Sequence, residues 1–98
     1  MRGDSSPTGT TGRAAPSVHA RTFDDEMVLL DLRGGEYFAL NELGTKLWNG
    51  LNAGTSVEEI ATAIAAEYDV SLDNALEDLL ALVNDLVAKG LLLPGGPR

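Results

Sequence analysis

The chain has no cysteine, a single histidine and few aromatic residues among its 98 positions. The absence of cysteine excludes disulfides, thiolate metal sites and cysteine nucleophiles. No run approaches the ~20 apolar residues of a membrane span, and the first 22 residues contain no hydrophobic region typical of a signal peptide. Basic residues are also scarce, with 7 against 15 acidic ones and a net charge of −8. We therefore expect a cytoplasmic protein that binds neither membranes nor nucleic acid.

No residue pattern typical of catalysis is present. His19 has no serine or paired carboxylate near it in the sequence. The acidic pairs 24–25, 58–59 and 77–78 occupy adjacent positions, which point in different directions on a helix, and they match no metal-binding spacing. The sequence therefore predicts no enzyme, no metal site and no bound cofactor.

Composition divides the chain into three parts. Residues 1–17 are dominated by Gly, Ser, Thr and Pro, so they lack the apolar surface needed to offset ordering and are predicted to be disordered. Residues 18–93 are predicted to form one small domain, and residues 94–98 a frayed tail.

The sequence of the domain predicts three strands, at 18–22, 27–32 and 36–40. The turn before the third strand allows two registers. A two-residue Gly34-Gly35 loop pairs Leu30 with Ala39, whereas a three-residue loop that begins at Arg33 pairs Leu30 with Phe38. We favour the second, because it collects one apolar face consisting of Val28, Leu30, Leu32, Phe38 and Leu40.

Three helices are predicted to follow, at 42–51, 57–67 and 72–89. Asn41 and Ser71 are suitable N-caps, and Ser56 with Glu59 spells a capping box. Gly90 stands where the last helix should stop. The expected fold is α+β, a three-stranded antiparallel sheet followed by three helices.

The third helix has an apolar face about 160° wide, against the ~100° needed to face a core. That face comprises Leu72, Ala75, Leu76, Leu79, Leu80, Leu82, Val83, Leu86 and Val87. If this helix lies beside the open edge of the third strand, the two form a groove that can accept an extended peptide as an added strand. The alternative is that residues 91–93 or a second copy of the chain cover the groove.

Several segments together resemble one protein family. They are residues 28–31, 35–41 and 86–92, with Gly44 and Trp48 between the last two segments. The most telling pieces are the Tyr-Phe-Ala-Leu-Asn run at 37–41 and the Lys-Gly-Leu-Leu run at 89–92. In order and spacing they are similar to the PqqD-like family, the precursor-peptide recognition elements of ribosomally made, post-translationally modified peptides. The resemblance covers residues 18–93.

The resemblance implies a winged-helix-like domain that binds the leader segment of a precursor peptide on the third strand, against the third helix, and presents it to a modifying enzyme. Carried over, the strand edge is Glu36, Tyr37, Phe38, Ala39 and Leu40. The helix wall is Leu72, Ala75, Leu76, Leu79, Leu82 and Val83, with Asp78 and Asp85 as flanking charges.

The chain looks most like the lasso-peptide type, whose partner is a leader peptidase. One alternative is a PqqD-type chaperone for a radical-SAM enzyme in quinone-cofactor biosynthesis. Another is an acidic winged-helix module for protein–protein contact or dimerisation. A DNA-binding winged helix fits the order of elements, but its third helix would carry one lysine and four acidic residues.

Overall fold

Three antiparallel strands followed by three helices form the body of the molecule, in a computed structural model that describes residues 10–94. The elements are β1 (Gly12–Ala14), β2 (Val18–Phe23), β3 (Glu26–Asp31), β4 (Glu36–Leu40), α1 (Glu42–Asn52), α2 (Val57–Tyr68), α3 (Leu72–Ala88) and β5 (Leu92–Pro94). The main sheet has the order β2-β3-β4, and β1 pairs with β5 in a second, small sheet. The predicted α+β fold is confirmed. Within the described residues, no helix is both long and apolar enough to cross a bilayer.

The helix boundaries follow the predicted caps. Asn41 accepts the Gly44 N–H at 2.9 Å, and Ser71 accepts the Asn74 N–H at 3.1 Å. Ser56 and Glu59 form the capping box in both directions. At the end of α3, Gly90 takes φ +74° and the Leu91 N–H bonds to the Leu86 carbonyl at 3.0 Å, which is a Schellman stop.

The register predicted for the β3–β4 hairpin is wrong. Asp31 lies opposite Glu36 and Leu29 opposite Phe38, so the turn contains four residues, 32–35. The core face of β3 therefore carries Met27, Leu29 and Asp31, while Val28 and Leu30 lie on the opposite face. Asp31 tolerates burial because its carboxylate accepts bonds from Arg33 and from the Ser17 hydroxyl.

Residues 10–17, expected to be disordered, are part of the fold. Strand β1 pairs antiparallel with β5, with Ala14 opposite Leu92. Thr10 adds two bonds to the Glu58 carboxylate, and Ala15 is buried. This pairing also orders residues 92–94, so Pro94 belongs to a strand. Residues 1–9 and 95–98, for which disorder and fraying were predicted, lie outside the described residues.

The core lies on one side of the main sheet. Its largest fully buried side chains come from β3, from each helix and from β5, namely Leu29, Leu47, Val57, Leu86 and Leu92. Helix α1 packs on β3 and β4, and α3 packs on α2, α1 and β5. Throughout residues 10–94, no element packs on the opposite side of the sheet, which we call its outer face.

Candidate functional site

Strand β4 is an edge of the main sheet. Its single strand partner within residues 10–94 is β3. An edge strand presents unpaired N–H and C=O groups that can pair with another extended chain. The other edge, β2, provides an internal comparison, because it has the same partner on one side and none on the other.

The hydrogen bonds show which residues of β4 present free backbone groups. The Leu32 N–H bonds to the Ser17 carbonyl at 2.9 Å, immediately beside the Val18–Asp31 pair. Because bonding direction alternates along an antiparallel strand, residues 27, 29 and 31 of β3 direct their backbone groups toward β4. Their partners 36, 38 and 40 close that ladder. The N–H and C=O groups of Tyr37 and Ala39 therefore point to the open edge.

Two hollows lie near the two ends of β4 and α3. The first, of about 450 Å³, is lined by Asp31, Gly35, Glu36, Tyr37, Phe38, Lys89 and Leu91. The second, of about 550 Å³, is lined by Asn41, Leu43, Gly44, Ile64, Val70, Asn74, Ala75, Asp78, Leu79 and Leu82. Strand β4 starts at the first hollow and is followed by Asn41 at the second, whereas α3 begins beside the second and is followed by Lys89 at the first. The two hollows thus lie at opposite ends of β4 and of α3, and we call the space between this strand and this helix the cleft.

Gly44 sets how closely α1 approaches this cleft. A Cβ at that position would lie 3.1 Å from a Leu40 side-chain carbon and 3.2 Å from one of Leu82. Both distances are tighter than ordinary van der Waals contact. The glycine therefore lets the first turn of α1 form the floor of the second hollow.

The structure divides the predicted site residues into four groups. Seven line the hollows: Glu36, Tyr37, Phe38, Ala75, Asp78, Leu79 and Leu82. Ala39 is exposed on the edge between the hollows. Leu40 and Val83 are buried in the core, and Leu72, Leu76 and Asp85 line neither hollow.

The apolar face of α3 is wide because it serves two neighbours. Leu76, Leu80 and Val87 are half-buried against the core on the side of the helix away from the cleft. A different side of the helix faces the cleft, namely the side that carries Asp78, Leu82 and Lys89. The width of the face alone therefore overstated the surface available to a ligand.

Sequence reasoning missed several lining residues, of which Lys89 and Leu43 are the most informative. Lys89 is the only cation among the residues that line the hollows, which also include the carboxylates of Asp31, Glu36 and Asp78. Its Nζ lies 5.8 Å from the centre of the Phe38 ring, a cation–π arrangement. The pairing of Lys89 with Phe38 spans 51 positions and has no local sequence signal, whereas Leu43 lies only two positions after the recognisable helix cap Asn41.

Arg33 connects the β3–β4 turn to the end of α3. Its guanidinium donates to Asp31 Oδ2 at 2.9 Å and to the Gly90 carbonyl at 3.1 Å. The bonds from Arg33 lower the pKa of Asp31 from 3.8 to about 2. This connection lies beside the first hollow and helps to position its walls. Within residues 10–94, no group of three or more His, Asp or Glu side chains is placed to hold a metal ion.

Acidification should weaken the fold through Asp31. Its folded pKa of about 2 lies below the ordinary 3.8, so its charged form stabilises the fold above 3.8 and this contribution disappears as the pH falls through about 2. We expect Asp31→Asn to be less stable than wild type near neutral pH, with the difference shrinking across that window. Urea unfolding followed by the fluorescence of buried Trp48 measures it. A difference that stays constant down to the lower pKa would contradict the linkage.

The chain is similar to one known family and to two solved structures. Residues 26–92 match the family model described as coenzyme PQQ synthesis protein D (PqqD). A solved structure of TbiB1 in complex with the TbiA(beta) leader peptide is similar, with a TM-score of 0.76 and 39% identity over 82% of this chain and 93% of that one. Lasso peptide synthetase B1 complexed with the leader peptide gives a TM-score of 0.79 and 36% identity, over 85% and 98% of the two chains. No curated protein matches.

Proposed function

The chain belongs to the PqqD family, and we propose from this that it is a non-catalytic recognition protein for a ribosomally made precursor peptide. It binds the leader segment of the precursor as an added strand on β4, in the cleft against α3. It then presents the peptide to a modifying enzyme. The proposed place of action is the cytoplasm, where a ribosomal product is available.

The observation that carries the proposal is the open edge at Tyr37 and Ala39, lying beside an apolar cleft. Strand addition requires both parts, because backbone bonds supply affinity and pockets for alternate side chains supply selectivity. One set of alternate peptide side chains would enter the cleft, where Phe38 and Leu82 offer apolar contacts. The site proposed from these contacts is Glu36 to Ala39 with Ala75, Asp78, Leu79, Leu82 and Lys89.

The two peptide-bound relatives favour the lasso-peptide type over the quinone-cofactor type. Both are 36% or more identical to this chain. The proposed modifying enzyme is accordingly a leader peptidase. A radical-SAM partner is the second candidate, because the matching family model is described by coenzyme PQQ synthesis. The net charge of −8 argues against nucleic acid as the ligand.

Amide hydrogen exchange tests where the leader binds. Adding the synthetic leader of the cognate precursor should slow exchange at Tyr37 and Ala39, since their N–H groups would become bonded in the new ladder. Ala20 and Thr22 occupy the corresponding outward positions on β2 and serve as the control edge. Exchange measured by NMR should be unchanged there. Protection at β2 instead of β4, or at neither edge, would contradict the proposal.

A further inference from the structure

The outer face of the main sheet carries an uncovered apolar patch. Phe23, Leu32 and Tyr37 are 59%, 57% and 75% exposed. Together with Val28 and Leu30 they form what we call the outer patch. These five residues surround a shallow hollow of about 330 Å³, with His19 and Arg21 at its margin.

This patch is unusual for the solvent side of an antiparallel sheet. Such a side normally alternates to polar residues when the other side faces the core. Here both faces of β3 are apolar, since Met27 and Leu29 point inward and Val28 and Leu30 outward. A contiguous apolar patch left open on a small domain marks an interaction surface.

The charge at the patch indicates the chemistry of its partner. Arg21 takes part in neither of the two ion pairs found among residues 10–94. In a chain of net charge −8 it places a cation at the margin of an apolar surface. A second copy of the chain related by a two-fold axis would bring the same cation into the contact from both sides. A different protein with an apolar surface that bears a carboxylate is the complementary partner.

The position of the patch indicates what that partner does. Tyr37 belongs both to the outer patch and to the open edge of β4. A strand added at that edge would direct every second side chain to the same face as Tyr37. The patch and a bound peptide would then form one continuous surface.

We propose that the outer patch docks the modifying enzyme, which contacts this chain and the bound leader together. The inference rests on the proposed function, because it requires the leader to bind at β4. In this proposal the two faces of the sheet bind different partners. The cleft side holds the peptide, and the outer face, with Phe23 and Arg21, recruits the enzyme.

The test uses the full chain, its synthetic leader and the purified leader peptidase encoded with the precursor. Arg21→Glu reverses the charge of the patch and Phe23→Ser removes an apolar anchor, both on β2 and away from the β4 edge. Each should weaken peptidase binding to the leader-loaded chain by about tenfold or more. Leader affinity, measured by calorimetry, should not change. Thr22→Glu is the matched control, because Thr22 is exposed on the opposite face of the same strand.

The outcomes separate the two proposals. If the wild-type chain fails to bind the leader, the proposed function falls. If the leader binds but both variants retain wild-type affinity for the peptidase, the docking surface is overturned. Sedimentation of the chain alone tests the remaining alternative, that the patch binds a second copy of the chain. A wild-type dimer that either variant converts to a monomer would assign the patch to a second copy and overturn the proposal.

Discussion

Ala39→Pro is expected to abolish binding of the leader peptide while leaving the domain folded. Proline has no N–H to donate, and its ring occupies the edge where the added strand must approach. The bond that is lost leaves a peptide carbonyl unpaired. That costs ~1–3 kcal/mol, or about fivefold to 150-fold in affinity before the steric block is counted. Calorimetric titration with the synthetic leader measures the loss.

The domain should tolerate the change because Ala39 does not bond to β3. The ladder between the strands is closed by residues 36, 38 and 40 instead. Ala20→Pro is a matched control, since Ala20 is also an exposed alanine with an outward N–H, on the opposite edge. It should keep wild-type affinity. If a folded Ala39→Pro variant binds the leader with wild-type affinity, the strand-addition model is wrong.

Local signals in the sequence were sufficient to predict the helices. Asn41, Ser56 and Ser71 each satisfy an amide within three residues, so cap and partner are adjacent in the chain. Gly90 likewise adopts the positive φ that the end of α3 requires. Interactions of this range depend little on the rest of the fold, and their positions were predicted to within one or two residues.

The register of the hairpin could not be predicted in the same way. Both faces of β3 are apolar, so the rule that the more uniformly apolar face is buried could not distinguish the core face from the outer face. The deciding contacts are tertiary. Arg33 neutralises Asp31 and reaches the Gly90 carbonyl, 57 positions away. Those bonds make the buried carboxylate acceptable and set a four-residue turn.

The pairing of β1 with β5 escaped prediction for a related reason. Residues 12–14 have a composition typical of a flexible segment, and their order comes from partners near the other end of the chain. Leu92 is almost fully buried, and the Ala15 N–H bonds to the Leu91 carbonyl at 3.0 Å. Composition indicates how much apolar surface a segment can bury by itself. Strand β1 is ordered instead by its pairing with β5, which lies near the other end of the chain.

The candidate site was predicted in part. Its strand followed from the order of the elements, and its helix from the apolar face of α3. Which residues of that helix reach the cleft depends on the rotation of α3 against α2 and the sheet. Leu82 is half-buried and lines the second hollow, whereas Val83, the next residue, is buried in the core. Ala75 and Leu79 line the same hollow although they too are core residues.

The second prediction with a large effect concerns Leu29 and tests the register directly. Leu29 is fully buried beneath the sheet, so Leu29→Ala removes well-packed core contacts and should cost ~2–5 kcal/mol of unfolding free energy. A domain of this size has a total stability of about 5–15 kcal/mol, so the loss should be visible as a large shift in the urea midpoint. Circular dichroism at equilibrium measures it.

Leu30→Ala is the matched control, because it makes the same chemical change at the next residue, on the opposite face of β3. Leu30 is half-buried in the outer patch with no element packed over it, so the cost should be about 1 kcal/mol or less. The three-residue loop favoured by the sequence pattern predicts the reverse order, with Leu30 in the core. A larger loss for Leu30→Ala than for Leu29→Ala would therefore restore that register. It would also move Val28, Leu30 and Leu32 to the core side while Tyr37 stayed on the outer face, and the outer patch, having lost three of its five residues, would no longer serve as a docking surface.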